Sequence, residues 1–168
     1  MRPTLFTIER ERPGRLHTMA HPRGGEWLPA EMAGLARAGV DVLVSLLDDA
    51  EVHELHLDDE HRLAEADGMT FRRLPTADQS VPDRAATMAM AAAVAADLAG
   101  GREVAVHCRT GIGRSSTLAA AVLVHEGLTP EDAWQLIGAA RGLPVPDTEE
   151  QRAFVRSLTD HHRGHHPS

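Results

Sequence analysis

Short runs of apolar residues alternate along the chain with longer stretches in which apolar positions recur every three or four residues. Residues 4–8 and 15–19 are partly alternating runs on either side of Pro13-Gly14, a pattern that predicts two edge strands around a turn. Between 29 and 38, Met32, Leu35 and Ala36 fall at helical spacing and Gly39 follows as a C-cap, so a helix is expected. Residues 41–47 form the compact apolar run of a buried strand, and 70–74 read as another, followed by a loop at 75–80. Ser80-Val81-Pro82-Asp83 has a capping-box pattern that predicts a helix over 82–98, ended by Gly100-Gly101. The strand at 103–107 comes next, then an Ala/Leu/Val-rich helix over 115–126 stopped by Gly127. Thr129 opens a helix that runs to Arg141 before Gly142, and Thr148-Glu149-Glu150-Gln151 opens the last. Strands alternating with helices predict an α/β domain with a central, mainly parallel sheet flanked by helices.

No repeat or linker divides the chain, so residues 1–160 are expected to form a single domain. The His-rich segment 161–168 has no apolar periodicity and is expected to be a disordered tail, an adventitious metal site being the other reading. Segment 48–67 carries nine Asp or Glu against Arg62 alone. It reads as a solvated helical face, with a docking surface for a basic partner as the alternative.

Composition narrows the function classes. At 168 residues, 42% hydrophobic and 25% charged, the chain has the balance of an ordinary globular domain. No apolar run approaches the roughly 20 residues a bilayer crossing needs. The N-terminus lacks the apolar region of a signal peptide, and Cys108 is the single cysteine, so a reducing, cytoplasmic location is expected. A net charge of −8 argues against nucleic acid as a partner, because such binding needs clustered positive charge. All 17 basic residues are Arg. That removes lysine Schiff-base chemistry and the lysine of P-loop kinases and GTPases, and it leaves planar guanidinium forks suited to oxyanions.

The stretch that carries chemistry is His107-Cys108-Arg109-Thr110-Gly111-Ile112-Gly113-Arg114-Ser115. It joins a predicted strand to a helix start, where free backbone N–H groups and the helix dipole favour an anion. Gly111 and Gly113 let the backbone curl so that the amides of Arg109, Thr110, Gly111, Ile112 and Gly113 can line a cradle. A thiol at its mouth is driven toward thiolate, and Arg114 can clamp two oxygens of a tetrahedral oxyanion.

This spacing resembles the cysteine-dependent protein phosphatases, whose signature is His-Cys, five residues, Arg, then Ser or Thr; the two glycines look most like the dual-specificity branch. The resemblance runs from about Leu28 to Leu158 and implies a dual-specificity phosphatase-like fold. Pro75-Thr76-Ala77-Asp78 followed by Pro82 is similar to the family's general-acid loop, which implies Asp78 as the acid, with Asp83 as its rival. By the same resemblance Ser115 contacts the nucleophilic sulfur, His107 orders the loop, and Gln151 matches a glutamine that positions hydrolytic water in some relatives; Gln151 also completes a capping box with Thr148.

The implied reaction is phosphomonoester hydrolysis. Cys108 attacks phosphorus, Arg114 and the loop amides hold the equatorial oxygens, and Asp78 first protonates the leaving group and then activates water. No metal or organic cofactor is expected. The short chain lacks room for insertions that deepen the pocket of tyrosine-only relatives, so phosphotyrosine, with phosphoserine or phosphothreonine second, is the expected protein substrate, and small aryl phosphates should serve as well. Phosphoinositides are an alternative that the scarcity of loop basic residues disfavours. A rhodanese-like sulfurtransferase and a phosphate-binding module without catalysis are the readings from other classes.

Overall fold

The computed structural model describes residues 3–164. Its strands are β1 (Phe6–Thr7), β2 (Arg15–Met19), β3 (Val42–Ser45), β4 (Thr70–Arg73) and β5 (Glu103–His107). The helices are α1 (Leu28–Arg37), α2 (Asp49–Glu54), α3 (Glu60–Ala66), α4 (Arg84–Ala99), α5 (Arg114–His125), α6 (Pro130–Arg141) and α7 (Glu149–Gly164). The five strands form one sheet in the order β1-β2-β5-β3-β4, parallel throughout except for β1.

Alternation along the central strands explains the layering. Val104 and Val106 of β5, with Val42 and Val44 of β3, face one apolar cluster that includes Val94, Leu98, Leu118 and Leu123. Ala105 and Leu43 point the other way, into a second cluster with Met32, Leu35 and Met69. A strand buried on both faces reads as a continuous apolar run, and parallel sheets require that double cover. Helix α5 packs against α4, α6 and α7 and is buried from Arg114 to Leu123, which its run of small residues permits.

Two expectations change. β2 is an interior strand, not an edge, because it pairs with β1 on one side and β5 on the other. Its polar residues concealed that position: His17 is buried, with Nδ1 2.8 Å from Thr7 Oγ1 and Nε2 3.2 Å from Glu103 Oε2. Helix α4 is capped by Asp83, whose carboxylate accepts from the Ala86 amide at 2.9 Å, rather than by Ser80. Both acceptors precede the helix, and Asp83 lies immediately before its first turn. The other boundaries follow their signals: Thr129 caps α6, and Gly142 takes the left-handed conformation that ends it. Helix α7 extends to Gly164, so the first four residues of the expected tail are helical, while 165–168 lie outside the described residues.

The loop before α1 is pressed onto the turn between α2 and α3. A Cβ on Gly24 would stand 1.9 Å from the Leu55 carbonyl oxygen and 2.6 Å from that of His56. Both obstacles are backbone and cannot swing aside, so Gly24→Ala should destabilise the protein by about 2 kcal/mol and lower Tm by roughly 4–8 °C. Gly100→Ala, whose nearest obstacle is 3.4 Å away, should leave Tm within about 2 °C of wild type. Thermal denaturation of the two variants side by side checks the contrast.

Candidate active site

Parallel strands present their C-terminal ends together, and ligands bind outside those ends in open α/β sheets. β5 ends at His107, and the six residues that follow form the loop into α5. The outer side of this loop is held by its carbonyls. Arg109 O accepts from the His21 amide at 3.4 Å, Thr110 O from Arg141 at 3.2 Å, and Gly113 O from the Thr117 hydroxyl at 2.9 Å. Gly111 has φ +79°, and its Cα lies against the Met19–Ala20 peptide, where a Cβ would be 2.9 Å from Met19 C. With the carbonyls engaged outside, and no described residue accepting from the amides of 109–113, those N–H groups remain for an anion.

Cys108 is 2% exposed, and its Sγ lies 3.2 Å from Ser115 Oγ at the start of α5. Arg114 is also buried. Its Nη1 donates to Glu51 Oε1 at 2.6 Å and to the Thr76 carbonyl at 2.7 Å, and its Nη2 donates to Glu51 Oε2 at 2.9 Å. Asp78 Oδ1 is 3.3 Å from the same Nη2. One guanidinium thus joins the loop, the 75–80 segment and α2. Burial alone would push Arg114 down, but the Glu51 bond and the negative charges of Cys108, Glu51 and Asp78 outweigh it and hold the guanidinium above its ordinary value. For Glu51, burial pushes the carboxyl up, while Arg114, the Asp48 amide and Arg109 together hold it below its usual range.

The start of the acid segment continues the sheet edge. The Leu74 amide donates to Ser45 O and the Thr76 amide to Leu46 O, so Asp78 leaves the sheet beside Arg114. Asp83, the rival acid, has its carboxylate engaged as the α4 cap. Arg109 is half-exposed and turned toward Glu54, 3.4 Å away, and Glu51, 3.6 Å away. Its guanidinium is therefore directed at α2, leaving its backbone to the loop. His107 is fully buried, with Nε2 2.5 Å from Glu60 Oε2 and Nδ1 3.4 Å from the Cys108 carbonyl oxygen.

Gln151 is buried as well, and its amide serves as a clip. Oε1 accepts from the Asp147 and Thr148 amides at 3.0 and 3.2 Å, and Nε2 donates to the Ser80 carbonyl at 3.2 Å. The capping box with Thr148 is present, since Thr148 Oγ1 accepts from the Gln151 amide at 3.1 Å. The amide thus makes three contacts to backbone atoms, two through Oε1 and one through Nε2.

The sequence reading missed Glu51 and Glu60, both inside the acidic stretch taken for a solvated face. Each is buried and paired, Glu51 with Arg114 and Glu60 with His107. The pattern Asp48-Ala50-flanked Glu51 carried one usable signal, a capping box in which Asp48 accepts from the Glu51 amide at 2.8 Å and Glu51 accepts from the Asp48 amide at 3.1 Å. Nothing local marked Glu60. Among the described residues no three His, Cys, Asp or Glu side chains converge to hold a metal ion, and no helix is long and apolar enough to cross a membrane.

Glu51→Gln keeps the side-chain shape and removes the charge that faces Arg114. It should cost about 3 kcal/mol at neutral pH, because it leaves a buried guanidinium with only the exposed Asp78 carboxylate as counter-ion. The lowered carboxyl also fixes the sign with pH: the Glu51 contribution is complete above the ordinary value of 4.5 and is lost as pH falls through the lowered folded-state value. The stability gap between wild type and variant should therefore close in acid, which denaturant titrations at neutral pH and in acid would measure.

Residues 18–128, more than half of the chain, match the family model described as polymorphic toxin system, DSP-PTPase phosphatase. Among solved structures, the chain resembles a kinase associated phosphatase whose catalytic-site cysteine is replaced by serine, at a TM-score of 0.89 and 19% identity, covering 99% of each chain. Tk-PTP in its active form matches with a TM-score of 0.78 and 25% identity over 95% of this chain and 99% of that one. PTPMT1 in complex with PI(5)P matches with a TM-score of 0.70 and 23% identity over 88% of this chain and 94% of that one. These likenesses carry the fold, a mostly parallel sheet between helices as in dual-specificity phosphatases, and the family match carries more: the chain belongs to the DSP-PTPase phosphatases of polymorphic toxin systems, which are cysteine-based phosphatases of the dual-specificity type.

Proposed function

We propose that this chain hydrolyses phosphomonoesters through a phosphocysteine intermediate, acting first on protein phosphotyrosine and second on phosphoserine and phosphothreonine. The observation that carries the reading is the convergence on Arg114 of the Cys108 loop and the Asp78 segment, with Glu51 behind. A phosphoryl group seated on the loop amides would meet the Arg114 fork, with the sulfur below it and the Asp78 carboxyl above. Cys108 displaces the alcohol or phenol, and Asp78 gives that leaving oxygen its proton. Water then cleaves the phosphorus–sulfur bond while a carboxylate accepts its proton. A sulfurtransferase would have no use for an acid beside the clamp.

Substrate class follows from reach and charge. Cys108 is 2% exposed, so the length of a phenyl phosphate favours phosphotyrosine over the shorter phosphoserine. PTPMT1, solved with PI(5)P, makes phosphoinositides the second reading. Here the loop's other cation, Arg109, is already paired with Glu54 and Glu51, and a polyphosphorylated headgroup would meet that acidic rim.

Cys108→Ser should lower turnover by roughly a thousandfold or more and retain vanadate binding, because an alcohol ionises far less while the amides and Arg114 persist. Arg114→Lys should lose activity severely, since an ammonium cannot reproduce the two-pronged fork. Asp78→Asn should slow alkyl phosphates about a hundredfold and p-nitrophenyl phosphate much less, because only poor leaving groups need the proton. Steady-state assays in EDTA with p-nitrophenyl phosphate, an alkyl phosphate, a phosphotyrosine peptide and PI(5)P check all three. Wild-type turnover of PI(5)P above the peptide would reverse the substrate assignment. Thiosulfate-to-cyanide transfer without phosphate release would replace the reaction.

A further inference from the structure

Gly113, the residue before Arg114, faces a carboxyl group that the reaction as described does not use. A Cβ at Gly113 would stand 2.2 Å from Asp147 Oδ2 and 3.0 Å from Gln151 Nε2. The Asp147 carboxyl therefore occupies the space a side chain at 113 would need, against the backbone of the phosphate loop. Asp78 reaches the next residue, Arg114, from the other segment. Two carboxyl groups from distant parts of the chain thus converge on consecutive residues of one loop.

Local structure does not account for Asp147. The first turn of α7 is capped by Thr148 and Gln151, not by the Asp147 side chain. Its own amide is held by Gln151 Oε1, which positions the residue, and among the described residues no hydrogen bond or ion pair engages its carboxylate. Asp147 is open to solvent overall, as is Asp78, and both can exchange protons with bulk water between turnovers. Burial of the carboxyl against the loop and the charge of Asp78 push its pKa up, with Arg114 offsetting part of the rise. A carboxylate with raised proton affinity is a stronger base when ionised.

We propose that Asp147 is a second catalytic carboxylate, which takes the proton from the water that hydrolyses the phosphocysteine, while Asp78 serves the leaving group. The proposal rests on the phosphatase reading above. It also follows from Gln151: the residue implied to handle water has its amide engaged in the clip, and what that clip holds at the loop is Asp147. The step balances within the site. The water oxygen bonds to phosphorus, the phosphorus–sulfur bond breaks with its electron pair returning to Cys108 as thiolate, and the proton passes to Asp147. Inorganic phosphate leaves, Asp147 releases its proton to solvent, and Asp78 regains one from solvent.

The test is stopped-flow release of p-nitrophenolate from p-nitrophenyl phosphate by wild type and Asp147→Asn, with acid quench and intact mass to detect phosphoenzyme. The variant should release one equivalent in a burst as fast as the wild-type first turnover. It should then turn over about a hundredfold more slowly, with phosphocysteine accumulating. Vanadate affinity and Tm should stay at wild-type values. A wild-type steady-state rate in Asp147→Asn would overturn the assignment. Burst and steady state slowing together, or a loss of vanadate affinity, would also overturn it by making Asp147 a support for the loop. Absence of p-nitrophenolate release by wild type would instead remove the phosphatase reading, and this proposal with it.

Discussion

The bidentate pair between Glu51 and Arg114 organises the surroundings of Cys108. A buried guanidinium costs several kcal/mol in lost hydration and is tolerated only with close, well-aligned acceptors. Here it has the two oxygens of Glu51 and the carbonyl of Thr76, with Asp78 at its edge. The pair holds both Nη atoms from the protein side, so an incoming oxyanion would take the Nη2 edge that now faces Asp78. Glu51 is also the N3 residue of the α2 capping box, so the same carboxylate caps the start of a helix and orients the Arg114 guanidinium.

The sheet supplies the frame. Because β5 is central and covered on both faces, its end at His107 is fully buried, and the loop begins there. Leu46 N donates to His107 O at 2.9 Å, tying the neighbouring strand's exit to the same point. β3 and β5 therefore deliver α2 and the phosphate loop side by side, which brings Glu51 to Arg114 across 63 positions of sequence.

Features written in neighbouring residues were legible beforehand. Thr129 and Gly142 bound α6, Thr148 and Gln151 form their box, and residues 108–113 make the strand-to-helix loop in which Gly111 takes a positive φ, because each depends on chemistry within a few residues. Features set by distant partners were not. β2 looked like an edge because His17 and Thr18 are polar, and only pairing with both β1 and β5 places them inside. Glu51 and Glu60 looked solvated because their neighbours are acidic, and only Arg114 and His107, far along the chain, make their burial tolerable. Ser80 and Asp83 both resembled caps, and the position at which α4 starts decided between them.

Gln151 ties three stretches to one side chain: the Ser80 carbonyl of the 75–80 segment, the Asp147 amide beside the Cys108–Gly113 loop, and the first turn of α7. Helix ends open at a lower free energy than whole domains unfold. When the first turn of α7 opens, the clip lets go of Ser80 and Asp147 together, while Arg114 keeps its hold on the Thr76 carbonyl and Asp78. The placement of Asp147 against Gly113 is thus tied to a helix end and that of Asp78 to a buried ion pair, so the two carboxyl groups rest on supports of unequal strength.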